Sequence, residues 1–278
     1  MKAFFSILKS LIMKLNIQIL FLAFISAAIL SSCEKVVDVD LTDSEPKLVI
    51  DAGISDKDVN HIVKISKTIP FNQSNGFNGV SGAQVILTAP GGQQIAFTQT
   101  EPGIYQSPKF AGVPGSKYVI NVTVEGKVYT ATSIMPLAVP LDSLTFRKIS
   151  FFGEEEIFPV AHYKDPNDVQ NQYLFMVKAR DEEPEEVLTE DRFTNGSDVT
   201  ETLFTDIEDL AEGDSIEVEM RGIDRNVYKY FFAIAQISGE GGPPVSPANP
   251  VSNFNNGALG VFSAYTTTTL KKVVKLNK

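Results

Sequence analysis

Short β-forming runs separated by turn residues dominate the chain from residue 47 to residue 135 and leave little room for a helix there. One such run is Tyr118–Val124, in which Tyr, Val and Ile recur between polar residues. Pro-Gly pairs, which begin at Pro90, Pro102 and Pro114, interrupt the runs. Runs and turns recur at a spacing of about 8–12 residues, which is typical of sandwiches of antiparallel strands. The pattern predicts a β-sandwich over residues 47–136.

The last strands of this region resemble the closing strands of immunoglobulin-like domains. Tyr105 and Tyr118 each follow a Gly-containing turn, and the hairpin Val124–Tyr129 comes next. Glu125 and Gly126 are placed to form its tight turn, because Gly accepts the positive φ that such a turn requires. We therefore expect an all-β protein that begins with an immunoglobulin-like β-sandwich.

A second β unit with one helix is predicted over residues 140–278, as a β-sandwich or a barrel-like arrangement. Asp224 is a suitable helix N-cap, and the apolar positions after it recur at helical spacing, which predicts a helix over 225–238 packed on the core. Ile216–Met220 alternates apolar and charged residues, which predicts a half-buried edge strand. A final strand is expected over Leu259–Thr266.

Acidic residues are concentrated between residues 181 and 219, where 16 Asp and Glu face the single basic residue Arg192. The sparse apolar content predicts a long exposed acidic loop over 181–214. Carboxylate oxygens suit Ca²⁺, but no Asp-x-Asp-x-Asp-Gly loop followed by a Glu is present. We predict no metal site, and calcium binding by this loop stays an open alternative.

The N-terminus has the order of parts of an export signal. Three lysines precede an apolar run over 15–30, which is short for a membrane span of about 20 residues, and the run ends at Leu30–Cys33. Leu30–Cys33 resembles a bacterial lipobox, which implies a signal peptide at 1–32 and attachment of acyl chains such as palmitate at Cys33. Residues 33–46 are then an acidic tether to the membrane. Translation can start at Met1 or at Met13.

Composition excludes several classes of function. The formal net charge of −10 argues against a nucleic-acid partner, since phosphates require clustered Lys and Arg. Cys33 is the single cysteine and His61 and His162 are the two histidines, so an intrachain disulfide and a His-rich zinc site lack residues. The two histidines fall in different predicted domains and outside any Gly-x-Ser-x-Gly motif, which argues against a Ser-His-Asp triad. We predict no catalytic residues and no cofactor, and hence a protein that is not an enzyme.

The Gly- and Pro-rich segment 239–257 is the candidate binding loop, since a loop braced by proline can present backbone amides and carbonyls to a ligand or a receptor. An alternative is that Pro250 and Asn253 only order a long crossover. Asp142–Leu144 and Asp214–Ile216 resemble the O-glycosylation motif of exported Bacteroidota proteins. The residues chosen for the candidate loop are Asn249, Pro250, Asn253, Phe254 and Gly257, and those chosen for glycosylation are Ser143 and Ser215.

Several separated pieces, taken together, resemble the Bacteroidota lipoproteins of domain of unknown function 4249. The pieces are Cys33–Val37, Glu45–Val49, Asp165–Pro166, Asn171–Tyr173, Asn249–Asn253 and Gly257–Phe262. Val261 and Asn256 depart from the family pattern, in which an aromatic residue and a fuller glycine cluster are common.

The resemblance implies a lipoprotein of the outer membrane, expected to face the cell surface, that assists a TonB-dependent β-barrel receptor. It identifies no ligand. Docking on the receptor and capture of its ligand both fit this role. The alternative is a surface lipoprotein that binds a ligand, or mediates adhesion, without a transport partner.

Overall fold

The computed structural model describes residues 45–70, 76–151, 153–167, 169–180, 182–238 and 250–276. The predicted signal peptide at 1–32, the lipid-attachment residue Cys33 and nearly all of the predicted tether at 33–46 lie outside the described residues. Asn249 of the candidate binding loop lies outside them as well.

The part of the chain that the structure describes contains fourteen strands and one α-helix, and from Glu45 onward it belongs to one compact unit. The predicted all-β fold with one helix is therefore confirmed. A short 3₁₀ turn at Pro90–Gly92 lies between the third and fourth strands. The strands are β1 (Leu48–Ser55), β2 (Val59–Lys67), β3 (Gln84–Thr88), β4 (Gln94–Glu101), β5 (Ile104–Phe110), β6 (Lys117–Val124), β7 (Lys127–Ile134), β8 (Leu141–Phe151), β9 (Glu154–Lys164), β10 (Gln172–Ala179), β11 (Glu185–Glu190), β12 (Asp198–Thr202), β13 (Ser215–Ile223) and β14 (Leu259–Val273), and the helix is α1 (Arg225–Ser238).

The first seven strands form an immunoglobulin-like sandwich. The strands pair in the continuous order β1-β2-β5-β4-β3-β6-β7, and β4, which pairs with both β5 and β3, connects the layer of β1, β2 and β5 to the layer of β3, β6 and β7. Alternate residues of β6, such as Ile120 and Val122, are buried together with Ile50 and Ile65 of the facing layer. The predicted turn is present, since Glu125 and Gly126 have φ of 51° and 79°. Period-two alternation in the sequence thus becomes a core between two layers.

The remaining strands build a second sandwich. A sheet in the order β12-β9-β8 covers β11, β10, β13 and β14, and a second core lies between them. Tyr163 and Leu144 of the small sheet are buried with Phe175 and Val218 of the large one. The predicted boundary between two domains at residues 136–140 stays a prediction.

Strand β14 connects the two sandwiches, because it pairs in parallel with β1 and antiparallel with β13. A side chain at Gly260 would place its Cβ 2.0 Å from the carbonyl oxygen of Ile50, so only glycine fits this contact, with φ of 92°. Strand β13 lies between β10 and β14, so the prediction of an edge strand was wrong. Its charged residues lie on the outer sheet face, which produces the same alternation as an edge position.

The predicted acidic loop over 181–214 is corrected by the structure, because it contains the strands β11 and β12. Val199, Leu203 and Leu210 are buried in the second core. A few apolar residues at the correct positions suffice to hold a strand when its other face is solvated. The many acidic residues lie on that solvated face, and they made the segment resemble a loop in the sequence.

Helix α1 begins at the predicted residue. The Asp224 carboxylate accepts hydrogen bonds from the backbone N–H groups of Asn226 at 2.8 Å and Val227 at 3.1 Å, which is N-cap geometry. Val227 packs on the outer sheet face against Leu174 and Val261. Ile234 and Ile237, which were expected in the core, are exposed, as is Phe232. Among the described helices none has the length and apolar character needed to span a membrane.

Candidate functional site

A cleft opens between α1, β11 and the segment that follows β12, with a cavity volume of about 830 Å³. We call it the aromatic cleft. Its walls are formed by apolar and acidic side chains together. The lining residues are Glu156, Phe158, Pro184, Glu185, Glu186, Val187, Leu188, Phe204, Thr205, Asp206, Phe232, Ala235 and Gln236.

Phe204 projects into this cleft because its neighbour is held inward. The backbone N–H of Leu203 donates to the carbonyl of Pro159 at 2.9 Å, and the Leu203 side chain is fully buried. The next side chain lies beyond the end of β12 at Thr202 and faces the solvent. Phe204 is accordingly 58% exposed, and its ring lies against Phe158, with 5.2 Å between the ring centroids.

The opposite wall comes from α1. Phe232 is 48% exposed and stacks on Tyr228 one turn earlier, with 6.0 Å between centroids and 16° between the ring planes. The segment that carries Phe204 is joined to β11 by a hydrogen bond, in which the Glu185 carboxylate accepts from the backbone N–H of Asp206 at 2.7 Å. Two half-exposed rings, one on this segment and one on α1, thus give the cleft apolar surface.

A second groove, of about 520 Å³, adjoins the aromatic cleft and shares Glu156, Thr205 and Asp206 with it. We call it the acidic groove. Its other lining residues are Glu154, Glu155, Ile157, Ile207, Glu208, Asp209 and Leu210. The lining residues of the two grooves include no Lys, Arg or His. At the margin, Lys148 forms an ion pair with Glu155 at 2.8 Å.

The chemistry of this pair of grooves suits binding. Exposed aromatic side chains in a concave setting commonly mark interaction surfaces, and the many carboxylates around them attract cations. In the described parts of the chain, no three His, Cys, Asp or Glu side chains are grouped so that they could hold a metal ion. The arrangement therefore favours recognition of a ligand with both cationic and apolar parts.

The two histidines lie away from both grooves. His61 is buried, with Nε2 2.9 Å from the Phe110 carbonyl and Nδ1 accepting from the Ser55 N–H at 3.4 Å. Burial lowers the pKa of His61. His162 lies on the small sheet between Thr145 and Thr200, at 2.7 Å and 3.2 Å. Each imidazole therefore has local partners in a separate sheet.

The candidate binding loop runs along the outer edge of β7. The Asn253 side chain brackets Phe262, donating to its carbonyl at 2.7 Å and accepting from its N–H at 2.9 Å. The Asn255 side chain accepts from the Thr130 N–H at 2.8 Å, and its own N–H donates to the Thr130 carbonyl at 3.0 Å. The Asn256 amide donates to Val128. These side chains replace a missing neighbouring strand.

The other candidate residues of this loop contribute to its structure. Phe254 is buried in the first core, Pro250 is partly buried, and Gly257 is exposed in a turn with φ of 78°. The structure therefore brings most of the predicted residues together at the β7 edge and gives them hydrogen-bonding and packing roles. Ligand binding by this loop stays a prediction.

Both candidate glycosylation residues are exposed. Ser143 lies in β8 at a register shift, and Ser215 is the first residue of β13. Modification of either serine stays a prediction.

Two of the sequence pieces that carried the resemblance meet in a buried polar cluster. The Tyr173 hydroxyl donates to Asp165 at 2.6 Å, and the backbone N–H of Asn171 donates to Asp191 at 2.7 Å. The Gly196 N–H also donates to Asp165, at 3.2 Å. Burial raises the pKa of Asp165, as does the nearby Asp191, against the opposing hydrogen bonds. The cluster fixes the two loops on either side of β10 and β11.

Sequence reasoning missed the aromatic cleft. Its signal was present as Phe204, an isolated aromatic residue among acids, and as Phe232 on the helix face opposite Val227. An isolated aromatic residue in a charged segment is weak evidence before the fold places a second one beside it.

Comparison with known proteins places the chain among proteins without an assigned activity. A family model described as "Domain of unknown function (DUF4249)" matches residues 34–271. No curated protein matches the chain.

Two solved structures show limited likeness. One is a DUF4785 family protein from Legionella pneumophila, at 11% identity and a TM-score of 0.25, covering 64% of this chain and 52% of that one. The other is a segment of two fibronectin type-III domains from chicken tenascin, at 13% identity and a TM-score of 0.22, covering 64% of this chain and 90% of that one. The chain thus spans about half the length of the Legionella protein.

Proposed function

This chain belongs to the family described as domain of unknown function DUF4249, and we propose that it is an outer-membrane lipoprotein that assists a TonB-dependent receptor. In this proposal Cys33 carries the lipid, the body faces the cell surface, and the source is a member of the Bacteroidota. The protein either docks on the receptor or captures the ligand that the receptor imports. It performs no catalysis and needs no cofactor.

The observation that carries the proposal is the aromatic cleft with its adjoining acidic groove. Phe204 and Phe232 offer apolar surface in a concave setting, and carboxylates surround it. This is the chemistry of a recognition surface.

The lipid supports the same proposal by a different argument. Anchoring the body beside a barrel in the same membrane converts the second contact into an intramolecular one, which raises the effective concentration. An interface of modest size then suffices for function.

Crosslinking with mass spectrometry on intact cells tests the proposal. We expect a β-barrel receptor to be crosslinked to the native chain and lost in Cys33→Ala, which removes the anchor. A second variant, Phe204→Ser, should keep the anchor and lose crosslinks that map to the cleft, whereas Phe193→Ser, which changes an aromatic residue 92% exposed outside the cleft, should retain them. Recovery of no receptor by the anchored native chain would contradict the accessory role.

The alternative is a surface protein that binds its ligand, or mediates adhesion, without a transport partner. One observation favours this alternative: the walls of the cleft come from one chain, so no second protein is needed to complete it. A deletion strain separates the two. Unchanged uptake with lost adhesion would support the free-standing binder, and lost uptake would support the receptor accessory.

A further inference from the structure

We infer that the aromatic cleft and the acidic groove together bind a basic peptide segment, in which Lys or Arg side chains flank an aliphatic or aromatic one. The inference rests on the proposed function only in treating the cleft as the binding surface, and it requires no receptor. It names the chemistry of the occupant, which the proposed function leaves open.

Charge is the first argument. The two grooves are lined by eight carboxylates, namely Glu154, Glu155, Glu156, Glu185, Glu186, Asp206, Glu208 and Asp209, and by no basic side chain. Cations lie only outside this lining: Lys148 forms an ion pair with Glu155 at 2.8 Å, Arg180 donates to the backbone carbonyl of Glu208 at 2.8 Å, and Arg221 interacts electrostatically with Glu186. Such a one-signed concave surface focuses its field outward and attracts cations. An acidic partner or an anionic lipid surface would be repelled.

Aromatic surface is the second argument. Phe204 and Phe232 present ring surface next to those carboxylates. A Lys or Arg side chain suits this setting, since its methylene stem packs on apolar surface while its charged end reaches a carboxylate or a ring face. A small inorganic cation would gain nothing from the rings.

Shape is the third argument. The two grooves meet at Glu156, Thr205 and Asp206, so an occupant can continue from the apolar part into the acidic part. A chain molecule with alternating apolar and cationic groups matches this sequence of surfaces. Two copies of this protein would not pair cleft to cleft, because both clefts carry the same sign of charge.

Binding of designed peptides tests the inference. The full chain, purified in detergent micelles, would be titrated into a hexapeptide of alternating lysine and leucine that carries a neutral fluorescent dye, with anisotropy as the measurement. Two further peptides replace every lysine by glutamate or every leucine by serine. We expect saturable binding of the first peptide, a loss of about tenfold or more in affinity for the serine peptide, and no binding of the glutamate peptide.

Variants locate the site. Glu156→Gln with Asp206→Asn removes the two carboxylates that the grooves share, and both are exposed. The matched control is Asp58→Asn with Glu101→Gln, which makes the same change in net charge on exposed residues of the N-terminal sandwich. We expect the first pair to weaken binding about three- to tenfold and the control to change it less than about twofold.

The apolar part has its own pair of variants. Phe204→Ser should weaken binding about tenfold, and Phe193→Ser should leave it unchanged. Equal affinity of the cleft variants and their controls, absence of binding by the lysine peptide, or equal binding of the glutamate peptide would overturn the inference.

The outcome is separable from that of the proposed function. Peptide binding in the absence of any receptor crosslink would retain this inference and contradict the accessory role. A receptor crosslink without peptide binding would do the reverse.

Discussion

The edge of β7 and the aromatic cleft differ in what their side chains do: at the edge they cover unpaired backbone groups, and at the cleft an aromatic ring stays exposed. At β7, Asn253 and Asn255 close the open edge, and Phe254 is turned into the core. At the cleft, Phe204 is turned outward by the burial of Leu203. Open strand edges invite pairing with other chains, so they are commonly covered. At the β7 edge, side chains satisfy backbone groups that lack a partner strand, whereas at the cleft the burial of Leu203 leaves the Phe204 ring exposed beside that of Phe232.

Removing one phenylalanine from each region tests whether the buried and the exposed ring differ in their contribution to stability. This pair of variants has the largest expected effect. Phe262→Ala empties a fully buried position beside the Asn253 bracket and should lower the free energy of unfolding by about 3–5 kcal/mol. Phe204→Ala should lower it by less than about 1 kcal/mol, because the ring is already half in water. Urea denaturation of both variants measures this. Equal losses would mean that Phe204 is a packing residue.

The connection between the two regions should have the next largest effect. One Asp224 oxygen caps α1, and the other accepts from the Ser133 hydroxyl and from the Ile134 N–H at 3.1 Å at the end of β7. Asp224→Ala removes both roles and should cost about 2–3 kcal/mol.

Asp224→Asn is the control for this change, because it keeps one acceptor oxygen for the helix N-terminus. We expect it to recover part of the loss in the same urea measurement. Full stability of Asp224→Ala would show that the carboxylate connects nothing.

The covering of β7 can be tested by removing one amide. Asn255→Ala leaves the Thr130 N–H without its side-chain acceptor and should cost about 1 kcal/mol. It should also increase self-association, measured by light scattering at rising concentration, since an unpaired edge is exposed. Gln94→Ala, exposed at the start of β4, should change neither quantity. Light scattering of Asn255→Ala equal to that of the native chain would contradict the covering role.

Acidification should change the contributions of His61 and Asp165 to stability in opposite directions. This is the smallest effect that we predict. The folded-state pKa of His61 lies below its ordinary value of 6.5, so its contribution to stability is present above that pH and is lost as pH falls through the lowered value. The folded-state pKa of Asp165 lies above 3.8, so its contribution is present below pH 3.8 and is lost as pH rises through the raised value.

Unfolding by urea at a series of pH values measures both contributions. His61→Gln should flatten the fall in stability below pH 6.5, and Asp165→Asn should flatten the change that lies above pH 3.8. A variant curve parallel to that of the native chain would contradict the corresponding assignment.

The regular parts of the fold could be predicted because their signals are local. Alternation in β6, the glycine of the Glu125–Gly126 turn and the cap at Asp224 act within a few residues, and each is observed as expected. The acidic segment was predicted wrongly because Val199 is buried in a core whose other members, such as Tyr163 of β9 and Phe175 of β10, come from strands that are distant in the sequence.

The cleft could not be predicted for a related reason. Phe204 and Phe232 line the same cleft because α1 packs beside β11. No local sequence pattern predicts that packing. Asn253 was chosen from the sequence, but Asn255 was not, because its partner Thr130 in β7 lies 125 residues earlier in the chain.

The parallel pairing of β1 with β14 has a consequence for how the chain folds. Val49 pairs with Leu259, so β1 acquires this neighbour only after the 210 residues that follow Val49 have been made. Contacts between residues so distant in sequence form late and slow the search for the native state. Until then one side of β1 lacks its partner, and an early half-chain is prone to wrong pairing. The two sandwiches should therefore mature together in one late event, and nascent fragments that lack β14 should depend on chaperones.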